Sequence, residues 1–419
     1  MGSHLWLPFT QMSGFPREER TFVRAFGTRL VDARGRELFD AVSSIWTTIH
    51  GHAHPHIVAA IARQAAELDH VTALGATNPV AEALAARLAA LSGLERAFFA
   101  SDGASAIEAA LKMALQFWQQ RGEPQRTRIA RLGGAYHGDT VGAMSVSDIA
   151  LFKARFGALC FESVAAGELA ASLARGDLAA IVVEPLVQAA AGMRIVPPES
   201  YAPLRAARKP LLIVDEIATG FGRTGTMFAF EQLGLEPDIV TLGKGLSGGT
   251  LALSATLARE RVYEAFLGAA GEGKQFFHGH SYAANPIACA AALASLELFE
   301  REGTLAHVAA LERALGPMLA RLGTHPLVRD VRRAGLMCAI ELRAERIAPA
   351  DASSPAWRIA NDLYRRGQFT RPLGDAIQLV PPLSSSESEL RDFAGALREA
   401  LDAAAETDAR LAASARSGR

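Results

Sequence analysis

LLIVDE (residues 211–216) and TLGKGLSGG (residues 241–249) are the two stretches of sequence that decide the fold. The first is a short apolar run of the kind that forms a buried strand, and near its end stands the acid Asp215. The second carries Lys244 in a loop flanked by glycines. Similar β-rich runs alternate with helical patterns elsewhere, and this alternation predicts a mainly parallel sheet with helices on both faces.

A buried acid followed by a loop lysine matches the two demands that pyridoxal phosphate (PLP) makes of a protein. Its ring nitrogen must stay protonated to draw electrons and needs a buried anion, whereas its aldehyde needs an amine. Asp215 can supply the anion and Lys244 the amine. We therefore predict PLP as the cofactor, with Asp215 and Lys244 as catalytic residues.

Between these residues lies GFGRTG (residues 220–225), which also matches the dinucleotide fingerprint GxGxxG. That fingerprint should follow a strand directly and open a helix. Here DEIAT intervenes after the strand, and only weak helical signals follow. A loop whose glycines permit tight turns is the preferred interpretation, and a nicotinamide-dependent oxidoreductase is the alternative from another enzyme class.

Composition excludes several classes of protein. The chain has 419 residues, half of them hydrophobic, and a formal net charge of −1, so it has no bulk attraction for nucleic acid. Cys160, Cys289 and Cys338 stand singly in apolar surroundings, which predicts reduced core thiols in a cytoplasmic protein, without a zinc site. No apolar stretch is long enough for a membrane span, and no signal sequence is recognisable, so we expect a soluble protein with small-molecule partners.

Three parts of the chain differ in the type and order of their predicted secondary-structure elements. The first 50 or so residues contain a short meander, FVRAFGTRLVDARG, and from about residue 295 long amphipathic helices surround a strand pair in VRDVRRAGLMCAIELRAE. We predict a large PLP-binding domain at 56–294 and a smaller α+β domain at 295–419, with 1–55 as the N-terminal segment of the smaller one. The predicted helices are 56–68, 79–91 and 105–120, and the predicted strands are 97–99, 179–183, 211–214 and 239–241.

Long motifs carry a family resemblance. LLIVDEIATGFGRTG, VTLGKGLSGG, AYHGDT and HGHSYAANP resemble the class III (omega-type) aminotransferases of PLP fold type I. More narrowly, WLPFTQM, SSIWTTIHGH, YHGDTVGAMSV and TRPLGDAIQLVPPL resemble the branch that makes 7,8-diaminononanoate for biotin. The resemblance runs from Trp6 to about Leu383 and implies an α/β fold with a mainly parallel seven-stranded sheet, plus a smaller α+β domain that packs with the N-terminal segment.

The resemblance also implies a reaction: PLP-dependent amino transfer to 8-amino-7-oxononanoate, a keto acid, with ping-pong kinetics. The amino donor stays open between S-adenosylmethionine and lysine. Phe9, where the adenosylmethionine type typically has tyrosine, and Ile45 before Trp46, where that type has two tryptophans, are closer to the lysine-using branch. Another class III ω-amino acid or diamine transaminase, or an aminomutase, is the alternative within the family.

One group of predicted cofactor contacts lies at the start of a helix. SDGASAIEAALKMAL (residues 101–115) places Gly103 and Ala104 where unpaired N–H groups and the positive end of the helix dipole suit a phosphate. By resemblance the cofactor phosphate binds here, although Ala104 stands where the family more often has serine. A plain helix cap by Ser101 or Asp102 is the alternative.

Other predicted contacts follow strands. By resemblance, the ring of Tyr136 covers the pyridine face of the cofactor. Gln188 could bond the cofactor's phenolic oxygen and Glu184 could position a neighbouring group, with an exposed loop pair as the alternative. His137 is interpreted as a structural histidine, and Asp139 as a loop anchor or as a supporting group near Asp215.

The remaining predicted residues concern substrates and a second subunit. By resemblance, the loop with Gly279 and Ser281 crosses a twofold interface, so that Ser281 binds the phosphate of the partner's cofactor, which predicts a homodimer with shared active sites. Arg371 matches the arginine that clamps the carboxylate of the keto substrate, and a solvated surface arginine is the alternative. Trp46, Tyr136 and Gly279 complete the predicted substrate contacts.

Overall fold

The apolar run that ends on Asp215 forms an inner strand of a six-stranded sheet. The computed structural model describes residues 4–15, 20–206, 210–347 and 354–417. The strands are β1 (Phe22–Phe26), β2 (Arg29–Asp32), β3 (Glu37–Asp40), β4 (Arg96–Ala100), β5 (Arg128–Arg131), β6 (Leu178–Val183), β7 (Val187–Gln188), β8 (Arg194–Ile195), β9 (Leu211–Asp215), β10 (Ile239–Leu242), β11 (Ser254–Ala258), β12 (Val328–Ala334), β13 (Met337–Leu342), β14 (Gln368–Phe369) and β15 (Ala376–Leu379).

Helices connect and cover these strands. The α-helices are α1 (Pro55–Glu67), α2 (Pro79–Ser92), α3 (Gly103–Gln120), α4 (Val141–Ser145), α5 (Ala150–Lys153), α6 (Leu169–Arg175), α7 (Ala202–Ala206), α8 (Phe230–Leu233), α9 (Glu260–Tyr263), α10 (Pro286–Arg301), α11 (Thr304–Gly323), α12 (Pro355–Arg365) and α13 (Glu387–Ser417). Short 3₁₀ helices lie at Met12–Gly14, Gly157–Leu159, Ala166–Glu168, Pro198–Tyr201, Lys244–Ser247, Glu264–Phe266 and Ala344–Arg346. Within the described ranges, none of the helices is both long and apolar enough to cross a membrane.

The central sheet has the strand order β4-β11-β10-β9-β6-β5. Neighbours from β10 to β5 are parallel, and β11 is antiparallel to both of its neighbours. Every residue of β6, β9 and β10 is buried, as expected for strands that are covered on both faces. The α/β fold class and the predicted elements are confirmed.

The count of seven strands differs from the six that the described residues form. The missing edge strand is reduced to one residue, Val164, which makes an isolated parallel bridge to Ala130 in β5. A 3₁₀ helix begins at Ala166, so the chain leaves the sheet edge before a strand can extend.

The C-terminal part of the chain contributes to two smaller sheets, one of which it shares with the N-terminal strands. The N-terminal meander pairs with β14 in the order β1-β2-β3-β14, and β12 and β13 form the predicted antiparallel pair, with β15 beside β13. The predicted packing of the N-terminal segment against C-terminal residues therefore occurs. The division into domains stays a prediction: helix α10 runs across its boundary at 294/295, and parts of 1–55 and 295–419 lie outside the described residues.

The cysteines are free, and Cys289 and Cys338 are buried as predicted. Cys160 is only partly buried, so the prediction of a core thiol is wrong there. Its position at the end of the 3₁₀ helix Gly157–Leu159, which has no buried residue, keeps it near the surface.

Candidate active site

Loops that follow the parallel strands surround a cavity of about 480 Å³. Because parallel strands place their carboxyl ends at one edge of a sheet, the residues after β5, β6, β9 and β10 meet there. Six of the residues predicted from the sequence line this cavity: Trp46, Gly103, Ala104, Tyr136, Asp215 and Lys244.

Asp215 is a buried carboxylate that accepts hydrogen bonds from three donors. Its Oδ1 accepts from the backbone N–H of Ile217 at 3.0 Å and from Oγ1 of Thr241 at 3.3 Å. Its Oδ2 lies 2.7 Å from Nδ1 of His137. A carboxylate only accepts, so His137 carries its proton on Nδ1 and donates it to Asp215. The anion is therefore fixed from three sides at the strand end.

His137 contacts Asp215 directly, which the sequence interpretation did not predict. It is buried, its backbone N–H donates to Oγ of Ser147 at 2.9 Å, and its Nε2 has no hydrogen-bond partner within the part of the chain that the structure describes. The interpretation as a purely structural histidine does not account for its direct bond to Asp215. The one available signal was its place beside Tyr136 in AYHGDT.

Lys244 begins a 3₁₀ helix directly after β10 and lines the cavity. Burial lowers the pKa of its ammonium group, an effect that the anions of Asp215 and Glu184 oppose and the cation of Arg223 reinforces. Its Nζ lies 5.2 Å from the centre of the Trp46 ring. A lysine with a lowered pKa has a larger share of neutral amine, the form that reacts as a nucleophile or base.

The start of helix α3 forms another wall of the cavity. The Asp102 carboxylate caps the helix by accepting from the backbone N–H and the hydroxyl of Ser105, at 3.0 and 2.8 Å. The plain-cap alternative is therefore correct for Asp102, but it leaves the backbone N–H groups of Gly103 and Ala104 without partners among the described residues. A Cβ at Gly103 would lie 2.9 Å from the side chain of Ile217, so a larger residue here would have to displace that side chain.

Tyr136 and Glu184 are joined at the backbone. Oε2 of Glu184 accepts from the N–H of Tyr136 at 2.9 Å, and Oε1 accepts from that of Ala189 at 3.2 Å. Burial, opposed by His137 and the two N–H groups and reinforced by nearby Asp215, raises the pKa of Glu184 to about 7. Burial, reinforced by the negative charge of nearby Asp139, also raises the pKa of Tyr136. Glu184 thus positions the segment that carries the tyrosine ring.

Four predicted residues do not line the cavity of the single chain. The sequence predicts Gln188 at the end of the strand 179–183, but it lies in the separate short strand β7; its Nε2 donates to the carbonyl of Gly133 at 2.9 Å, and it is not among the residues that line the cavity. Gly279 and Ser281 lie in an exposed loop. Arg371 is half-buried, which lowers the pKa of its guanidinium, and its side chain forms no ion pair within the described ranges.

The donor set of the cavity fits PLP. Asp215 supplies a fixed anion, Lys244 an amine, and the free N–H groups of Gly103 and Ala104 a place for a phosphate. GFGRTG, in contrast, forms turns and bends with no helix before Phe230, so its context is not that of a dinucleotide fingerprint.

Comparison with known proteins gives concordant matches. The family model "Aminotransferase class-III" matches residues 15–401. A curated relative from Synechococcus elongatus, adenosylmethionine-8-amino-7-oxononanoate aminotransferase, is 44% identical over 95% of this chain and 98% of its own. The crystal structure of a protein of that name from Methanocaldococcus jannaschii has a TM-score of 0.89 and 37% identity, covering 96% of this chain and 97% of that one. A PLP-bound amine transaminase from an uncultivated Pseudomonas species has a TM-score of 0.87 and 32% identity, covering 96% and 99%.

Proposed function

Because the chain belongs to the class-III aminotransferase family and is a PLP-dependent transaminase, we propose that it aminates 8-amino-7-oxononanoate to 7,8-diaminononanoate in the cytoplasm, as a step of biotin synthesis. The predicted family, enzyme class and cofactor are confirmed, and the nicotinamide alternative is wrong. The acceptor is supported by the printed name of relatives that match nearly the whole chain. The observation that carries the proposal is that Lys244 and Asp215 line one cavity.

The residues of the cavity divide the work of amino transfer. Bound PLP supplies an electron sink that lets an amino group pass from donor to acceptor in two half-reactions. With PLP bound, Lys244 would supply the amine that holds the cofactor, and its neutral Nζ would take the proton from the reacting carbon of the donor. Asp215, oriented by His137, would balance the positive charge of the protonated ring nitrogen. The N–H groups of Gly103 and Ala104 would bind the phosphate.

Two further contacts orient the ring and the acceptor. The phenol ring of Tyr136 would pack on the cofactor face; its ring centre lies 5.6 Å from that of Phe152, and the two rings meet edge to face. Arg371 suits an acceptor that carries a carboxylate, because its guanidinium is half-buried and forms no ion pair in the described part of the chain. In the single chain Nε2 of Gln188 donates to the carbonyl of Gly133, and the contact of Gln188 with the cofactor stays a prediction.

The donor proposal keeps S-adenosylmethionine and lysine as the two candidates. The printed name of the relatives contains adenosylmethionine, whereas Phe9 and Ile45 depart from the pattern of that type. Phe9 is connected to the site, since its ring packs edge-on against Phe152 at 5.3 Å, and Phe152 packs against Tyr136. Ile45 directly precedes Trp46. Both departures therefore lie next to residues that contact or line the cavity.

A donor-resolved assay tests the proposal. Protein loaded with PLP is incubated with 8-amino-7-oxononanoate and either lysine or S-adenosylmethionine, and 7,8-diaminononanoate is measured by mass spectrometry, with Lys244→Ala as the control. Product from one donor and none from the control supports the proposal. If the oxononanoate is never aminated while ω-amino acids or diamines exchange their amino groups, the alternative within the family is correct instead.

We infer that the active form is a homodimer with shared sites. The loop that carries Gly279 and Ser281 is exposed in the single chain, together with the large side chains of Phe277 and Tyr282, at 70% and 65%. Exposed aromatic residues of this size favour a covering partner. Ser281 would then reach the phosphate of the partner's cofactor.

Mixed dimers test whether Ser281 acts across the interface. Lys244→Ala and Ser281→Ala proteins are each expected to be poorly active, and a hybrid of the two contains one intact site only if Ser281 is donated by the partner. Recovery of activity after the two are mixed and reassociated supports sharing. No recovery, with hybrids shown by mass spectrometry, places Ser281 in its own subunit's site.

A further inference from the structure

Four consecutive residues adopt left-handed backbone geometry beside the cavity. Ser43, Ser44, Ile45 and Trp46 have φ of 48°, 49°, 64° and 66°, and ψ is 49° at Ser44 and 58° at Ile45. L-residues visit this region singly and seldom, and none of the four is glycine. A turn of this kind persists only where surrounding contacts hold it.

The carboxylate of Asp40 is the main contact that holds the turn. It is fully buried at the end of strand β3. Its Oδ1 accepts from the N–H of Val42 at 3.2 Å, and its Oδ2 accepts from the N–H and hydroxyl of Ser44 at 2.9 and 3.3 Å. Nε2 of His52 lies 2.8 Å from the same Oδ2. The Asp40 side chain thus accepts hydrogen bonds from the polar groups of Val42 and Ser44 that point into the turn.

The turn places the Trp46 indole at the wall of the cavity. Trp46 is buried, lines the cavity, and lies with its ring centre 5.2 Å from Nζ of Lys244. Its Nε1 donates to Oε1 of Gln378 on β15 at 2.7 Å. The indole is therefore held at one end by the turn and at the other by a strand of a different sheet. A shift of the turn would pull the ring away from the amine.

We propose that Asp40 is a positioning residue of the active site, which holds Ser43 to Trp46 in the left-handed conformation and so fixes the Trp46 indole over Lys244. The ring then shields the amine from water and forms one wall for incoming substrates. The proposal concerns the transaminase site itself and does not depend on which donor or acceptor is used. It can therefore fail while the proposed function stands.

The direct readout is the indole N–H resonance of Trp46 in the full-length PLP-loaded protein, labelled with ¹⁵N and assigned with Trp46→Phe. Asp40→Asn and Asp40→Ala should shift this resonance and speed its hydrogen exchange about tenfold or more, because the bond to Gln378 opens. With Asp40→Ala, kcat/KM should fall by about a hundredfold, as a displaced active-site wall does.

Asp32→Asn is the matched control. Asp32 is equally buried, on the neighbouring strand β2, and accepts from the N–H groups of Arg34 and Arg36 at 2.9 Å, but it is not among the residues that line the cavity. It should lower the melting temperature as much as Asp40→Asn does and leave the Trp46 resonance in place. If both variants lower stability and neither moves the resonance, Asp40 is a folding residue only and the proposal is wrong.

A second variant covers the case in which Asp40→Ala does not fold. Ser44→Gly keeps the N–H at position 44 but removes the side chain that disfavours positive φ. Added to Asp40→Asn, it should restore the Trp46 resonance, because the turn then needs less support. If Asp40→Asn moves the resonance and the double variant does not bring it back, Asp40 does not act through the turn.

Discussion

Nδ1 of His137 lies 2.7 Å from Oδ2 of Asp215, and the exposed fractions of the two residues are 3% and 4%. The bond joins residues 78 positions apart, from loops that follow strands β5 and β9. A carboxylate held this way keeps one orientation towards the cavity, and His137 supplies a donor that water cannot replace, because the pair is buried.

Replacing His137 by phenylalanine should weaken PLP binding by about ten- to a hundredfold. A hydrogen bond to a charged group contributes about 1.5–3 kcal/mol, and about 1.4 kcal/mol corresponds to a factor of ten. Titration of the cofactor-free protein with PLP, followed by absorbance, measures the change. His137→Asn, which can still donate one hydrogen bond, should lose less. Equal affinity in both variants and the unaltered protein would show that the bond has no role in holding the cofactor.

Replacing Lys244 by methionine should stabilise the cofactor-free protein, and more so at lower pH. Burial lowers the folded-state pKa of this lysine below its ordinary value of 10.5, so between the two values the unfolded chain holds a proton that the folded chain has released. Unfolding is therefore favoured as the pH falls through that window. The stability gain of Lys244→Met should grow as the pH is lowered from about 10.5 and then level off below the folded pKa.

Urea unfolding between pH 7 and 10.5 measures this dependence. Lys244→Arg is the matched control, since a guanidinium keeps its proton over the whole pH range. The difference in the free energy of unfolding between Lys244→Arg and Lys244→Met should therefore not change with pH. A stability gain of Lys244→Met that is the same at every pH would mean that the lysine titrates alike in the folded and unfolded states.

The sequence was sufficient for the residues that stand in local patterns. Asp215 ends an apolar run and Lys244 lies among glycines, so strand end and loop could be recognised without any partner. The bond between His137 and Asp215 could not, because β6 lies between β5 and β9, and the contact depends on how loops from non-adjacent strands converge. Gln188 shows the same limit: the sequence predicted the strand 179–183 that precedes it, but neither the short strand β7 nor the bond of its Nε2 to the carbonyl of Gly133.

The left-handed turn formed by Ser43 to Trp46 could not be predicted from the sequence. Rules for positive φ look for glycine or asparagine, and SSIW has neither. What holds the turn is Asp40, together with Oγ of Ser43, which donates to the carbonyl of Val380 at 2.6 Å. That contact spans 337 positions. Tertiary contacts of this length override local preference.

Replacing Glu184 by glutamine should change how stability depends on pH. Burial raises the pKa of Glu184 from 4.5 to about 7, so between these values the folded chain keeps a proton that the unfolded chain has lost. Stability from this group is present below pH 4.5 and is lost as the pH rises through 7. Relative to the unaltered protein, Glu184→Gln should therefore gain roughly 3 kcal/mol between pH 4.5 and pH 8, at about 1.4 kcal/mol per pKa unit.

Glu216→Gln is the matched comparison for this measurement. Burial also raises the pKa of Glu216 to about 7, and this carboxyl accepts from the Phe230 N–H at 2.7 Å, outside the cavity. In urea unfolding of the cofactor-free protein, each variant should remove one part of the dependence of the free energy of unfolding on pH. The double variant should remove both parts. A slope that survives in the double variant would assign the titration to other groups.

Replacing Gly138 by alanine should weaken PLP binding more than it weakens the fold. Gly138 has φ of 129°, and a Cβ there would lie 2.5 Å from Cβ of Ala104, so the added methyl must push the first turn of helix α3 away from the cavity. The N–H groups of that turn are the proposed phosphate site, and their displacement should raise the dissociation constant of PLP by at least about tenfold.

Gly122→Ala is the control that distinguishes backbone strain from displacement of the helix start. Gly122 also has positive φ, at 77°, but has open space around it. It should lower the melting temperature through backbone strain and leave PLP affinity unchanged. If the two variants bind PLP equally well, the contact between Gly138 and Ala104 does not set the position of the helix start, and the phosphate is held elsewhere.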